Sequence, residues 1–231
     1  MSTAKEFDLA HDGGLRALNG WLHANTALTP LPPVHVLNPD GAHAIACGAD
    51  APFDIDIRGN AGYYVAGMNK HAKVTVHGNA STGAAENMMS GEVRIKGFAS
   101  TSAGASAHGG CLIIEGDASL RCGISLKGGD IVVGGNVGGF SAFMAQAGRL
   151  VICGDAGEAL GDSLYEAVIY VRGKVASLGA DARFEDMTAA DITALEALLT
   201  RAGFAYSASE FRKVASARSL YHWNADANQE Y

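Results

Sequence analysis

IVVGG at residues 131–135 and LVICG at residues 150–154 are one phrase written twice, nineteen residues apart. Outward from this pair it recurs as LIIEG (112–116), VRIKG (93–97), VTVHG (74–78) and IDIRG (55–59) on one side, and as IYVRG (169–173) on the other. The closing glycines, Gly59, Gly78, Gly97, Gly116, Gly135, Gly154 and Gly173, are separated by 19 residues every time. Four before the glycine stand Ile55, Val74, Val93, Leu112, Ile131, Leu150 and Ile169, and two before it Ile57, Val76, Ile95, Ile114, Val133, Ile152 and Val171. Both columns are aliphatic and mostly β-branched, and their alternation has the period of two that a half-buried strand requires.

Three further columns hold nothing larger than Ser. Three after the glycine come Gly62, Ser81, Ser100, Ser119, Gly138, Gly157 and Ala176. Seven after it come Ala66, Ala85, Gly104, Gly123, Ala142, Gly161 and Ala180; thirteen after it, Ala72, Gly91, Gly110, Gly129, Gly148 and Ala167. A strand of four or five residues cannot bury its aliphatic face alone, but equivalent strands stacked about 4.8 Å apart close a ladder and fill a common interior. The small columns read as corners where the backbone turns inward or takes positive φ. Parallel strands joined by crossovers are almost always right-handed. The expected fold is therefore all-β: a right-handed single-stranded parallel β-helix of seven 19-residue coils, with strands near 55–58, 74–77, 93–96, 112–115, 131–134, 150–153 and 169–172. An ankyrin-type or leucine-rich repeat is disfavoured, because GNASTGAAENMMSG (78–91) offers no sustained 3.6-residue face.

The composition agrees. Of 231 residues, 48% are hydrophobic and 18% charged, which excludes disorder, and thirty glycines are nearly twice the usual share of about 7%. No apolar run reaches membrane-spanning length, and MSTAKEFDLAHDGG has no secretory pattern. Cys47, Cys111, Cys122 and Cys153 form no CxxC pair, which reads as reduced thiols and a cytoplasmic location. A net charge of −7 argues against nucleic acid.

Three segments follow: an N-terminal extension and cap (1–54), the β-helix (55–181), and a C-terminal helix with a partner-docking tail (182–231). In the first, Leu15–Asn25 reads as a short helix carrying Leu18, Trp21 and Leu22. Leu31-Pro32-Pro33 reads as a connector and VHVL (34–37) as a possible first strand. In the last, Thr188 and Asp191 form a capping-box variant opening a helix over Ala189–Ala202, with Ile192, Leu195, Leu198 and Leu199 at helical spacing and Gly203 as its stop. The tail places Phe211, Arg212, Lys213, Arg218, Tyr221 and Trp223 together, residue types enriched at interface hot spots, and it is expected to dock on a partner. Folding back to cover the exposed ladder edge is the alternative.

Chemical motifs are sparse. No two glycines are separated by a single residue, so neither a dinucleotide loop nor a phosphate loop is written here. His77 lies in a column of mixed type (Arg58, Lys96, Glu115, Gly134, Cys153, Arg172) and reads as a surface histidine; His71 and His108 fall between coils. Ser81, Ser100 and Ser119 read as small packing residues, and Cys111 and Cys122 as buried thiols. Tyr63, Tyr64, Met68, Met88, Met89, Phe140, Phe143 and Met144 would form an apolar partner surface if they point outward. No catalytic, cofactor-binding or metal-binding residue is expected on this chain.

The corner spacing G-x-x-G-x-x-x-G is intact at Gly154, Gly157 and Gly161 and degenerate, with Ser or Ala, in the other coils. With the 19-residue period, this resembles the carboxy-terminal β-helix domain of the glutamate synthase large subunit, over about residues 50–185. The same domain type occurs as the C subunit of formylmethanofuran dehydrogenase. As a chain of this length with this tail, the sequence looks most like the B subunit of N-methylglutamate synthase. The resemblance implies a non-catalytic scaffold in a hetero-oligomer, between an amidotransferase-like subunit and an FMN-binding synthase subunit, with FMN on the partner and no cofactor here. The implied complex converts methylamine and glutamate to N-methylglutamate and ammonia. A formylmethanofuran-type C subunit and a stand-alone solenoid enzyme with a side cleft are the alternatives. Against the last, Glu86, Glu92, Glu115, Asp130, Glu158 and Asp162 scatter over different offsets from the repeat glycine, and Asp117 and Asp155 share a turn-forming column with Asn60, Asn79 and Asn136.

Overall fold

The computed structural model describes residues 3–11 and 13–218. The aliphatic columns become strands β3 (Asp54–Ile57), β4 (Lys73–Val76), β5 (Glu92–Ile95), β6 (Cys111–Ile114), β7 (Lys127–Val133), β8 (Ala147–Ile152) and β9 (Val168–Val171). Each pairs in parallel with the next, and the register matches equivalent residues: Ile55 lies beside Val74, Val74 beside Val93, Val93 beside Leu112. The chain is a parallel β-helix. A second, thinner ladder of single parallel bridges follows each corner, running through Ala61, Ala80, Ala99, Ala118, Val137, Ala156 and Val175. The residue before each repeat glycine lies just past its strand, so the strands end one position earlier than the sequence suggests.

The interior is the expected aliphatic stack. Ile55, Val74, Val93, Leu112, Ile57, Val76, Ile95, Ile114, Val133 and Ile152 are all fully buried in one continuous core with Ala66, Ala85 and Ala142.

The seven repeat glycines, expected as structural corners, are required by packing more than by φ. Of the seven, Gly59 alone has a left-handed φ, at +147°. A Cβ at Gly78 would lie 2.6 Å from Oδ1 of Asn60, and one at Gly154 would lie 2.5 Å from Oδ1 of Asn136; Gly97, Gly135 and Gly173 face Asn79, Asp117 and Asp155 in the same way. Those side chains bond the next coil. Oδ1 of Asn60 accepts from the Asn79 amide at 2.8 Å, Asp117 from Asn136 at 2.7 Å, Asn136 from Asp155 at 2.8 Å and Asp155 from Lys174 at 2.7 Å. Glycine is kept because a polar side chain from the coil below occupies the place of its own.

Positive φ belongs, as expected, to the corner glycines thirteen past the repeat glycine (Gly91, Gly110, Gly129 and Gly148) and to a longer stretch five, seven and nine residues past it, where most of the residues are not glycine: Tyr64, Ala66 and Met68; Phe140, Ala142 and Met144. There the amides alternate in direction. The Phe140 amide donates forward to the Glu158 carbonyl at 2.8 Å, and the Ala142 amide back to Cys122 at 2.8 Å. The inter-coil bonds satisfy a backbone that these residues would not adopt alone.

Both ends of the coil stack carry added elements. The sheet continues N-terminally through β2 (Val34–Leu37) to β1 (Lys5–Asp8), all in parallel. Helix α1 (Gly14–Ala24) buries Leu18 and Leu22, and Trp21 packs between Phe7 and Phe53 at ring separations of 5.7 and 5.8 Å. Asn19 bonds the Ala44 carbonyl and the Ala46 amide, which ties the helix to the first turn.

At the other end α2 (Ala189–Ala202) starts on the predicted box. The Asp191 amide donates to the Thr188 hydroxyl, and the Asp191 carboxylate accepts from the Thr188 amide at 2.9 Å; Gly203, left-handed at φ 81°, stops the helix. Leu195, Leu198, Leu199 and Ala202 turn inward, while Ile192, read as part of that face, is exposed.

The tail is corrected in its first part. Residues 212–216 form β11 (Arg212–Ser216), which pairs antiparallel with β9 on one side and with β10 (Ala182–Glu185) on the other. Phe211 and Val214 are buried, so this segment covers the ladder edge as the alternative reading has it. Tyr221 and Trp223 lie outside the described residues.

Candidate interaction surface

The outer face of the main sheet divides in two. Three positions before each repeat glycine, outward side chains run Asp56, Thr75, Arg94, then Ile113, Val132, Val151 and Tyr170. The apolar four are buried, with Cys111 and Cys153, against Leu195, Leu198, Leu199, Ala202 and Phe211. Arg94 stands at the border. Its guanidinium donates to the Ala202 and Arg201 carbonyls at 2.9 and 3.1 Å, capping the C-terminal end of α2.

Asp191 fixes the other end of α2. Burial raises its pKa, but bonds from the Thr188 hydroxyl and amide, the Tyr170 hydroxyl and the Lys213 ammonium outweigh that and hold the carboxyl well below its usual range. Lys213, expected at a partner, thus serves the fold. So does Arg212, which stacks on Phe184 at 4.6 Å and donates to the Gly173 carbonyl at 2.8 Å. Arg218 pairs with Asp181 at 2.6 Å.

No catalytic constellation emerges from the candidate residues. His77 is half-exposed and meets Asp56, whose other oxygen accepts from Arg58 at 3.4 Å; Arg58 reaches His35 at 2.6 Å. This is a surface network on the uncovered coils. His71 approaches Ser90, and His108 is exposed on the adjacent coil. Burial pushes the Cys111 thiol up to about 11 and those of Cys122 and Cys153 to about 12, far from the thiolate that reactivity needs. Among the described residues, no three His, Cys, Asp or Glu side chains converge on a point that could hold a metal, and no helix is long and apolar enough to cross a membrane.

Six of the exposed large apolar side chains lie on the turn face, while others, among them Phe98, Met89 and Tyr165, stand at other positions of the coils. Tyr63, Tyr64 and Met68 form one cluster on the first coil, with Tyr63 stacked on His43 at 4.3 Å. Leu120, Phe140 and Met144 form a second on later coils, where Phe143 meets Phe140 edge-on at 6.1 Å. Between the two clusters the same positions carry Thr82, Gly83, Thr101 and Ser102. An open groove of about 590 Å³ beside the second cluster is lined by Thr101, Leu120, Arg121, Gly139, Phe140 and Glu158. Met89 is exposed, whereas Met88 is buried in the core. Leu120 extends the candidate apolar surface. Its position, four after the repeat glycine, is the one that also exposes Tyr63.

Protein GlxC of Rhizobium meliloti (strain 1021) is 56% identical over 197 residues, covering 85% of this chain and 86% of that protein. The chain belongs to the GlxC family. No family model matches the sequence. The GlxC match spans most of both chains, so it takes in the solenoid together with at least part of the terminal additions that close its ends.

Proposed function

We propose that this GlxC relative is a non-catalytic β-helix subunit of a glutamate-synthase-like flavoenzyme complex, bridging an amidotransferase-like chain and an FMN-binding chain. The finer reading is N-methylglutamate synthase, in which methylamine displaces the amino group of glutamate as ammonia. The observation that carries the proposal is the uninterrupted stack itself. Seven coils keep the 19-residue period and corner spacing of the glutamate synthase β-helix, and two clusters of exposed apolar side chains lie along one face. The match along most of GlxC supports a scaffold made as a separate chain. Two clusters separated by coils of small polar residues suit two partners, each seated on an aromatic anchor.

The test is affinity isolation of the tagged chain from its own host, with the bound chains identified by mass. The expected companions are an amidotransferase-like chain and a yellow chain absorbing near 450 nm. A metal-bearing set of companions would transfer the scaffold role to a formylmethanofuran-type complex. Turnover by the chain alone would overturn the proposal.

A further inference from the structure

The eleven strands run in the order β1 to β9, then β11, then β10, so β10 is the last strand of the sheet. It pairs with β11 along one side, and among the described residues no strand pairs with the other. Such an edge is a template for a further strand unless it is blunted. A proline or a bulge would blunt it, and Ala182-Arg183-Phe184-Glu185 has neither.

Its sequence is self-complementary about its own middle. In an antiparallel pair centred on Phe184, Phe184 lies opposite its counterpart, and Arg183 of each copy lies opposite Glu185 of the other. Opposite charges directly across a strand pair stabilise it, and aromatic pairs do the same. Arg183 and Glu185 already share one face, where Arg183 holds Glu185 at 2.7 Å within the chain. Phe184, on the other face, is 43% exposed although it belongs to a paired strand. Beside it an open groove of about 690 Å³, lined by Met187, Phe211 and Arg212 among others, gives a second copy more to cover than a four-residue edge.

We propose that β10 is a self-association edge: two copies join their β10 strands antiparallel about a two-fold axis at Phe184, continuing one sheet through both β-helices. The contact is isologous, so it closes at two copies and forms no filament. The small edge makes the dimer a weak one, and its ion pairs make it salt-sensitive. Nothing in this inference depends on which enzyme complex the chain serves.

Sedimentation equilibrium of the full chain across the micromolar range tests it, with circular dichroism confirming that each variant is folded. The wild type is expected to pass from the 23.8 kDa monomer to twice that mass as concentration rises. Glu185→Arg, which sets Arg183 against arginine across the axis, should weaken association at least tenfold. Arg183→Glu combined with Glu185→Arg restores opposite charges and should recover most of it. Phe184→Asp, at an exposed site, places two carboxylates face to face and should leave a monomer. A wild type that stays monomeric throughout, or dimers indifferent to all three changes, would overturn the proposal. So would an edge occupied by a strand of a different protein in the isolated complex.

Discussion

Ile114→Ala is expected to lower the stability of the folded chain by about 2–5 kcal/mol, the range for deleting a fully buried aliphatic side chain. Ile114 has no exposed surface and sits between Ile95 and Val133 in the stacked column, so its loss leaves a void that neither neighbouring coil can fill without breaking register. Val132→Ala, on the opposite face of the same sheet, should also destabilise, because α2 covers it. Thr75→Ala, at the equivalent position on an uncovered coil, should change stability by less than about half a kcal/mol. Urea unfolding of the three variants checks the assignment of faces. An Ile114→Ala loss as small as that of Thr75→Ala would mean that the column is not the core.

Removing residues 211–231 is expected to lower the thermal midpoint by on the order of 10–20 °C, while removing only 219–231 should leave it nearly unchanged. The shorter deletion spares every described strand. The longer one takes away β11, and with it the buried Phe211 and Val214 and the Lys213 ammonium that faces Asp191. Losing one large aromatic and one aliphatic core residue costs about 5 kcal/mol or more, and a chain of this size loses about 2–4 °C per kcal/mol. It also bares the last ladder edge at β9, where unravelling of a stack begins. Differential scanning fluorimetry of the two truncations decides the matter. Equal midpoints would mean that β11 contributes nothing to the cap.

The period and the two aliphatic columns were legible in the sequence because each recurs in all seven coils. The helix over Ala189–Ala202 was legible because the Thr188 box and Gly203 mark its ends. Other features were written but read differently. The repeat glycines were legible as corners but without their reason; their partners, the Asn and Asp residues one position on, explain them once the coils are stacked. The cover provided by α2 was also legible in principle: Asp56, Thr75 and Arg94 give way to Ile113, Val132, Val151 and Tyr170 where the helix lies. Strands β1 and β11 were not legible. KEFD and RKVAS each carry a single large apolar residue, Phe7 and Val214, and their pairing is set by distant coils rather than by local pattern. The apolar surface was legible by residue type but not by direction, since Phe140 and Ala142 both take positive φ, yet Phe140 is exposed and Ala142 buried.

The bridging role rests most directly on reconstitution with and without this chain, followed by sedimentation velocity at 450 nm, where only the flavin is seen. With all three purified chains present, the amidotransferase-like chain should travel in the flavin boundary. With this chain left out, that boundary should slow to the rate of the FMN-binding chain alone and the amidotransferase-like chain should sediment apart from it. Co-sedimentation of the two to the same extent in the absence of the β-helix would contradict the account.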